Sequence, residues 1–193
     1  MRISWDVKFH THVKNLKTKL SQRLVALSKI QYSAPFTVKK SIVEGIFTST
    51  LAYCLPLFGG TEEQSIRDLQ VLQNRAAQIV CSTPARFSRR MLFDRIKWLS
   101  VNQLIVYFTL VMVFKVRKYD QPEYLAAVLN RDTRGHRIFR SKARLSLTSK
   151  SFTFRGAALW NTLPLSLRTM NNAYTFKKEI QLWIHQNVQR FLD

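Results

Sequence analysis

Acidic residues are scarce in this chain. Against 31 lysines and arginines stand only 11 aspartates and glutamates, which leaves a net charge of +20 at neutral pH. So one-sided a charge repels itself and favours a polyanionic partner, nucleic acid before an anionic membrane surface. The shortage of acids also excludes chemistries. There is no Asp-Asp dipeptide, so a polymerase metal site built on paired aspartates is absent. Glu62 and Glu63 fall in a first helical turn, where they suit the helix dipole and need no catalytic role. His10 and His12 have no third ligand in view, so they do not read as a metal site. No Gly-x-Gly and no Walker-type loop occurs, and the serines and threonines lack a suggestive His and acid arrangement. The chain on its own reads as a non-enzyme, with no metal and no cofactor.

Cysteine is scarce too. Cys54 and Cys81 sit in apolar helical contexts without CxxC spacing, which predicts buried free thiols in a reducing compartment. Long apolar runs are missing: the longest, residues 104–114, is too short to span a bilayer and predicts a buried core helix. Asp6, Lys8 and His10 interrupt any apolar opening, so no signal peptide is expected. Together these features predict an intracellular protein of nucleus or cytoplasm, not bound to a membrane. A hydrophobic fraction of 46% is enough for a substantial core, in one domain or two small ones.

What is present is helical periodicity. Phe9, Val13, Leu16, Leu20, Leu24 and Leu27 recur at steps of three and four and predict a helix over residues 8–31. Its cations meet only one nearby acid, Asp6. Pro35 suits a first helical turn, and residues 36–53 read as a second helix with Val38, Ile42, Ile46, Phe47 and Leu51 inward. Pro56 and Gly59-Gly60 should end it. Thr61 and Gln64 form a capping-box pattern for a third helix carrying Ile66, Leu69, Leu72, Ala76 and Ile79. Ser88 is placed to cap a short helix with Met91, Leu92, Ile96 and Trp98; Ser100 or Asn102 opens the very apolar fifth. Residues 121–129 add one or two turns.

From 131 to 155 the character changes. Arg131, Arg134, Arg137, Arg140, Lys142, Arg144, Lys150 and Arg155 face one acid, Asp132, with weak apolar alternation. This predicts a loop with one or two short strands. Arg137-Ile138-Phe139-Arg140 and Lys150-Ser151-Phe152-Thr153-Phe154-Arg155 interleave cations with aromatics. Guanidinium groups there suit phosphates, and rings suit bases. The plainer reading takes Phe139, Phe152 and Phe154 into the core with only the cations outward. His136 reads as a phosphate or solvent contact. Trp160 and Trp183 read as packing anchors. A last amphipathic helix, residues 175–191, presents Phe176, Ile180, Trp183, Ile184 and Val188 on one face.

Several segments, taken in order, resemble the C-terminal part of non-LTR (LINE-type) retrotransposon reverse transcriptases, from near the thumb onward. They are Ser4-Trp5 with His12-Val13-Lys14-Asn15-Leu16, and Tyr53-Cys54-Leu55-Pro56-Leu57-Phe58-Gly59, where Phe58 stands in place of a common Trp. Next come Leu69-Gln70-Val71-Leu72-Gln73-Asn74-Arg75-Ala76-Ala77, Trp98-Leu99-Ser100-Val101 and Pro122-Glu123-Tyr124-Leu125. Thr133-Arg134, Phe154-Arg155-Gly156-Ala157, Trp160-Asn161-x-Leu163-Pro164 and Arg168 complete the series. The resemblance covers most of the chain. It implies a thumb that grips template–primer duplex, an RNA–DNA hybrid among its ligands, and a palm and fingers domain as a partner. It does not extend to the palm with its catalytic aspartates, so polymerase activity is not carried over.

The expected fold is mainly α: a thumb-like helical bundle over residues 1–130, then a basic connector and small C-terminal helical module over 131–193. The expected role is sequence-independent binding of a nucleic-acid backbone. Lys14, Lys17, Arg23, Arg75, Arg89, Arg90, Arg134, Arg137, Arg140, Lys142 and Arg144 are the candidate phosphate contacts, since they lack acidic neighbours in sequence. A helical protein-interaction module and a retroelement relic without a selected role are the alternatives.

Overall fold

The computed structural model describes residues 9–58, 63–84, 87–140 and 151–187. The chain is mainly helical, as predicted, and forms two compact units, Met1–Leu104 and Ile105–Asp193. The division falls inside a helix; the expected boundary at 130/131 lies within the second unit, beside a short hairpin.

In the first unit, α1 (His10–Ser28) buries Val13, Leu16, Leu20, Leu24 and Leu27, the predicted stripe, against α5 (Glu63–Cys81). A fully buried leucine such as Leu20 or Leu69 contributes about 1.5–3 kcal/mol relative to exposure. The stretch after α1 departs from the expected stripe. It runs as α2 (Phe36–Val43), a π-helical turn (Glu44–Thr48) and α3 (Ser49–Ala52). Lys39, Val43, Phe47 and Leu51 are buried, while Val38 and Ile46, expected inward, are exposed. A row spaced by four drifts around an α-helix, and the wider π turn brings it back into line. Lys39 sits in that row because its ammonium donates to the Gln31 carbonyl at 2.9 Å and to the Ser82 hydroxyl. A buried charge requires such partners.

Pro56 does not end a helix. Tyr53, in extended backbone, and Cys54, at φ +58°, end α3, and Pro56 lies in the first turn of α4 (Leu55–Phe58). There its missing N–H costs nothing. Cys54 is therefore in a turn rather than a helix, and both cysteines are free thiols. Burial pushes the Cys81 thiol up. The expected cap Thr61 lies outside the described residues; the Gln64 side chain donates to Asp68 Oδ1 at 2.9 Å.

In α6 (Arg89–Ile96) Leu92, Phe93 and Ile96 are buried, whereas Met91 is exposed. The Ser88 hydroxyl makes no capping bond. Ser100 opens α7 (Val101–Tyr119) with a capping box. Its hydroxyl accepts from the Gln103 N–H at 3.3 Å, and Gln103 Oε1 accepts from the Ser100 N–H at 2.9 Å. The residues Arg89–Tyr119 are long and apolar enough to cross a membrane by length and composition, but 67% of the most apolar window is buried in the protein. That burial is the property of a core helix.

In the second unit, α8 (Glu123–Leu129) precedes β1 (Asp132–Thr133) and β2 (Arg137–Ile138), which pair antiparallel with Asp132 opposite Ile138. The predicted loop through 155 stops earlier. Ser151 accepts the Phe154 N–H at 3.3 Å and caps α9 (Phe152–Thr162), so Phe152 and Phe154 are half-buried helical residues rather than core. Pro164 then leads into α10 (Leu165–Arg168). Asn172 accepts two N–H groups, from Tyr174 and Thr175, and caps α11 (Ala173–Gln186). Phe176, Ile180 and Ile184 are buried on one face, as predicted, with Trp183 half-buried and Val188 outside the described residues. Phe176 stacks on Phe114 of α7, ring centroids 4.3 Å apart. Gly156 of α9 faces α7 so closely that a Cβ there would lie 2.8 Å from Val113 Cγ2.

Candidate nucleic-acid interface

The start of the basic segment, residues 131–140, folds into a hairpin that leans on α9 and α10. Thr133 pairs with Arg137, leaving residues 134–136 as the loop, and both Gly135 (φ +72°) and His136 (φ +55°) are left-handed. A non-glycine residue in that region needs support from outside. Trp160 supplies it: its Nε1–H donates to the His136 carbonyl at 3.1 Å. Arg168 donates to the Gly135 carbonyl through Nη1 and to the Leu163 carbonyl through Nε at 3.1 Å. Asn161 Oδ1 accepts from the Ile138 N–H at 2.8 Å, while Asn161 Nδ2 donates to the Ile138 carbonyl at 2.9 Å. Trp160, almost fully buried, is the packing anchor that its helical neighbours predict, and Arg117 lies over its ring at 5.1 Å. The Trp-Asn-x-Leu-Pro motif and Arg168 are thus a mount for the hairpin.

The hairpin's electrostatics are one-sided. Its single acid, Asp132, is held by Arg117 at 2.8 and 3.1 Å. Arg131, Arg134, Arg137 and Arg140 are exposed, and none of them ion-pairs among the described residues. The Arg140 guanidinium lies 4.4 Å over the Phe154 ring, which restricts its direction without neutralising it. Burial pushes the Arg168 guanidinium below its ordinary value, and the nearby positive charge of Arg137 pushes it further.

Three candidate contacts, Arg134, Arg137 and Arg140, are therefore brought together on one element. Lys142 and Arg144 lie outside the described residues. In the first unit the candidates are dispersed. Lys17 forms an ion pair with Asp68 of α5, a partner 51 residues away that sequence proximity could not show. Arg23 donates to the Ile46 carbonyl of the π-helical turn, so it braces the fold. Lys14 is exposed on α1, Arg75 on α5, and Arg89 and Arg90 on the first turn of α6.

Two further features stand out. Phe139, for which the plainer reading is the core and the other an outward ring, is 52% exposed. The signal was in the sequence: side chains alternate along a strand, so a buried Ile138 turns Arg137 and Phe139 outward together. The second is a cleft of about 660 Å³ between α1 and the π-helical turn with α3. His12, Lys19, Arg23, Ser49, Thr50 and Tyr53 line it, and no acid does so among the described residues. Burial, more than the nearby Lys19 charge, pushes the His12 imidazole below its ordinary value. Among the described residues no group of His, Cys, Asp and Glu is disposed to hold a metal ion. Compared with protein-family models, curated proteins and solved structures, the chain matches none.

Proposed function

We propose that the chain is a sequence-independent nucleic-acid-binding protein that grips a sugar–phosphate backbone with the hairpin of its second unit. The observation that carries this reading is the mounted hairpin itself. Exposed Arg134, Arg137 and Arg140 share it, and its one acid is already occupied by Arg117. Backbone contacts of this kind come from fixed guanidinium groups and carry no sequence information. The resemblance to the thumb and post-thumb region of LINE-type reverse transcriptases supports the same reading, with template–primer duplex or RNA–DNA hybrid as ligand and a separate palm as partner. No catalytic role is proposed for the chain itself.

A salt series tests it. Fluorescence anisotropy with labelled duplex should show log K falling linearly with log salt. Replacing Arg134, Arg137 and Arg140 with Ala should make that slope shallower by about 2.7, since each neutralised phosphate contributes about 0.9. An unchanged slope would sink the assignment. A second reading, a helical module that docks on another protein domain, draws on Tyr124 and Val128, which lie one turn apart on α8 and are both exposed. Concentration-dependent association in the absence of nucleic acid, abolished by Tyr124→Ser with Val128→Ser, would favour it.

A further inference from the structure

We propose that the outer face of β2 and its continuation captures unpaired nucleotides, with Phe139 stacking on a base while Arg137, on the same side, holds a flanking phosphate. This inference rests on the backbone-binding reading and specifies the kind of nucleic acid that this surface takes. Three observations carry it. First, Phe139 is 52% exposed although a phenylalanine has every reason to be buried. Second, its backbone is fixed. The Phe139 N–H donates to the Arg131 carbonyl at 2.7 Å, and the preceding residue, Ile138, is clamped on both polar atoms by Asn161. The ring therefore stands on a rigid support, and little ordering entropy remains to be lost on binding. Third, a cation lies beside it: Arg137 is exposed and shares its outward side of the strand.

A base inside a duplex is stacked on both faces and offers no ring surface to a side chain on the outside. An unpaired base offers one, and every base has it, so the contact tolerates any sequence. A cation and a ring side by side on one strand face therefore suit a single strand, or the unpaired end of a duplex, better than a continuous helix. It is also a chemistry that cations alone would not need: a purely phosphate-binding hairpin gains nothing from an exposed phenylalanine.

The test uses the full chain and its Phe139→Ala and Phe139→Trp variants. Each is titrated by anisotropy against single-stranded RNA, single-stranded DNA and a blunt duplex of equal length, at several salt concentrations. Phe139→Ala should weaken binding of at least one single strand about ten-fold and that of the blunt duplex less than two-fold, with the salt slope unchanged. Phe139→Trp should restore the lost affinity. Equal losses on single strands and duplex, or no loss on any, overturn the proposal. A salt slope that flattens on loss of Arg134, Arg137 and Arg140, together with an inert Phe139→Ala, leaves backbone binding standing and removes only the stacking. Absence of salt-dependent binding by the unaltered chain removes both. Unchanged thermal unfolding of Phe139→Ala, expected for so exposed a side chain, separates these outcomes from misfolding.

Discussion

Asn161 closes two hydrogen bonds on a single residue, Ile138, taking its N–H at 2.8 Å and giving to its carbonyl at 2.9 Å. A carboxamide in this position acts as a third strand one residue long: it offers to the exposed edge of β2 the same donor and acceptor that a neighbouring strand would. Ile138 is buried, so without Asn161 neither backbone group has an evident replacement. Asn161→Ala should destabilise the protein by about 1–3 kcal/mol, the cost of leaving buried polar groups unsatisfied. Native-state hydrogen exchange should show the Ile138 amide losing protection while amides in α5 keep theirs. Unaltered protection at Ile138 would mean that the clamp is not what holds the hairpin.

The contact between α9 and α7 makes a second expectation. A methyl group at Gly156 would meet Val113 Cγ2 at 2.8 Å, nearer than real Cβ contacts come, and that neighbour is a short, stiff side chain. Gly156→Ala should therefore cost about 1–3 kcal/mol by overpacking, despite the better helix propensity of alanine. Val113→Ala would make room for the added methyl. In urea unfolding, the double variant should lose at least about 0.5 kcal/mol less than the sum of the two single losses. Strict additivity would show that the two helices adjust elsewhere.

Lys17 makes the third. Its hydrogen bond holds the Asp68 carboxyl below the ordinary value of 3.8, with a smaller contribution from Gln64. A carboxyl whose pKa is depressed on folding contributes stability above its unfolded value and loses it as the pH falls through the folded one. Lys17→Met should thus be less stable than the parent at pH 6, by a small margin because the pair is partly exposed, and the gap should close as the pH drops below 3.8. The same variant should leave the salt slope of nucleic-acid binding unaltered, because Lys17 is already neutralised by Asp68. A flattened slope would return Lys17 to the binding surface.

The sequence carried the helices well where burial and apolar character coincide. Every predicted leucine of the α1 stripe is buried, as are Phe176, Ile180 and Ile184 of α11. It misled where they part. In α2 the row Lys39, Val43, Phe47 and Leu51 begins with a lysine and is kept straight by a π turn, so apolar spacing finds Phe47 and Leu51 but points to Val38 and Ile46 where Lys39 and Val43 are buried. The Ser100–Gln103 capping box is legible in the sequence as a serine followed three residues later by a glutamine. The candidate interface was legible as a cluster of arginines, but not as a geometry. Lys17 has no acid near it in sequence, yet folding brings it Asp68; Arg134 has Asp132 two residues away, yet folding commits that acid to Arg117. For Phe139 hydrophobicity points to the core and the two-residue period of a strand points outward, and the period prevails.

Trp160, Asn161 and Arg168 grip the hairpin through the main chain alone: the carbonyls of Gly135 and His136 and both polar atoms of Ile138. Such a mount is indifferent to the chemistry it displays. Positions 134, 137 and 139 can be rewritten to other charges or other rings without loosening the holder, whereas Gly135, bound by its backbone angle, and Ile138, bound by its burial, cannot. Scaffold and display are separate here, so the side chains shown at 134, 137 and 139 can change while the fold stays fixed.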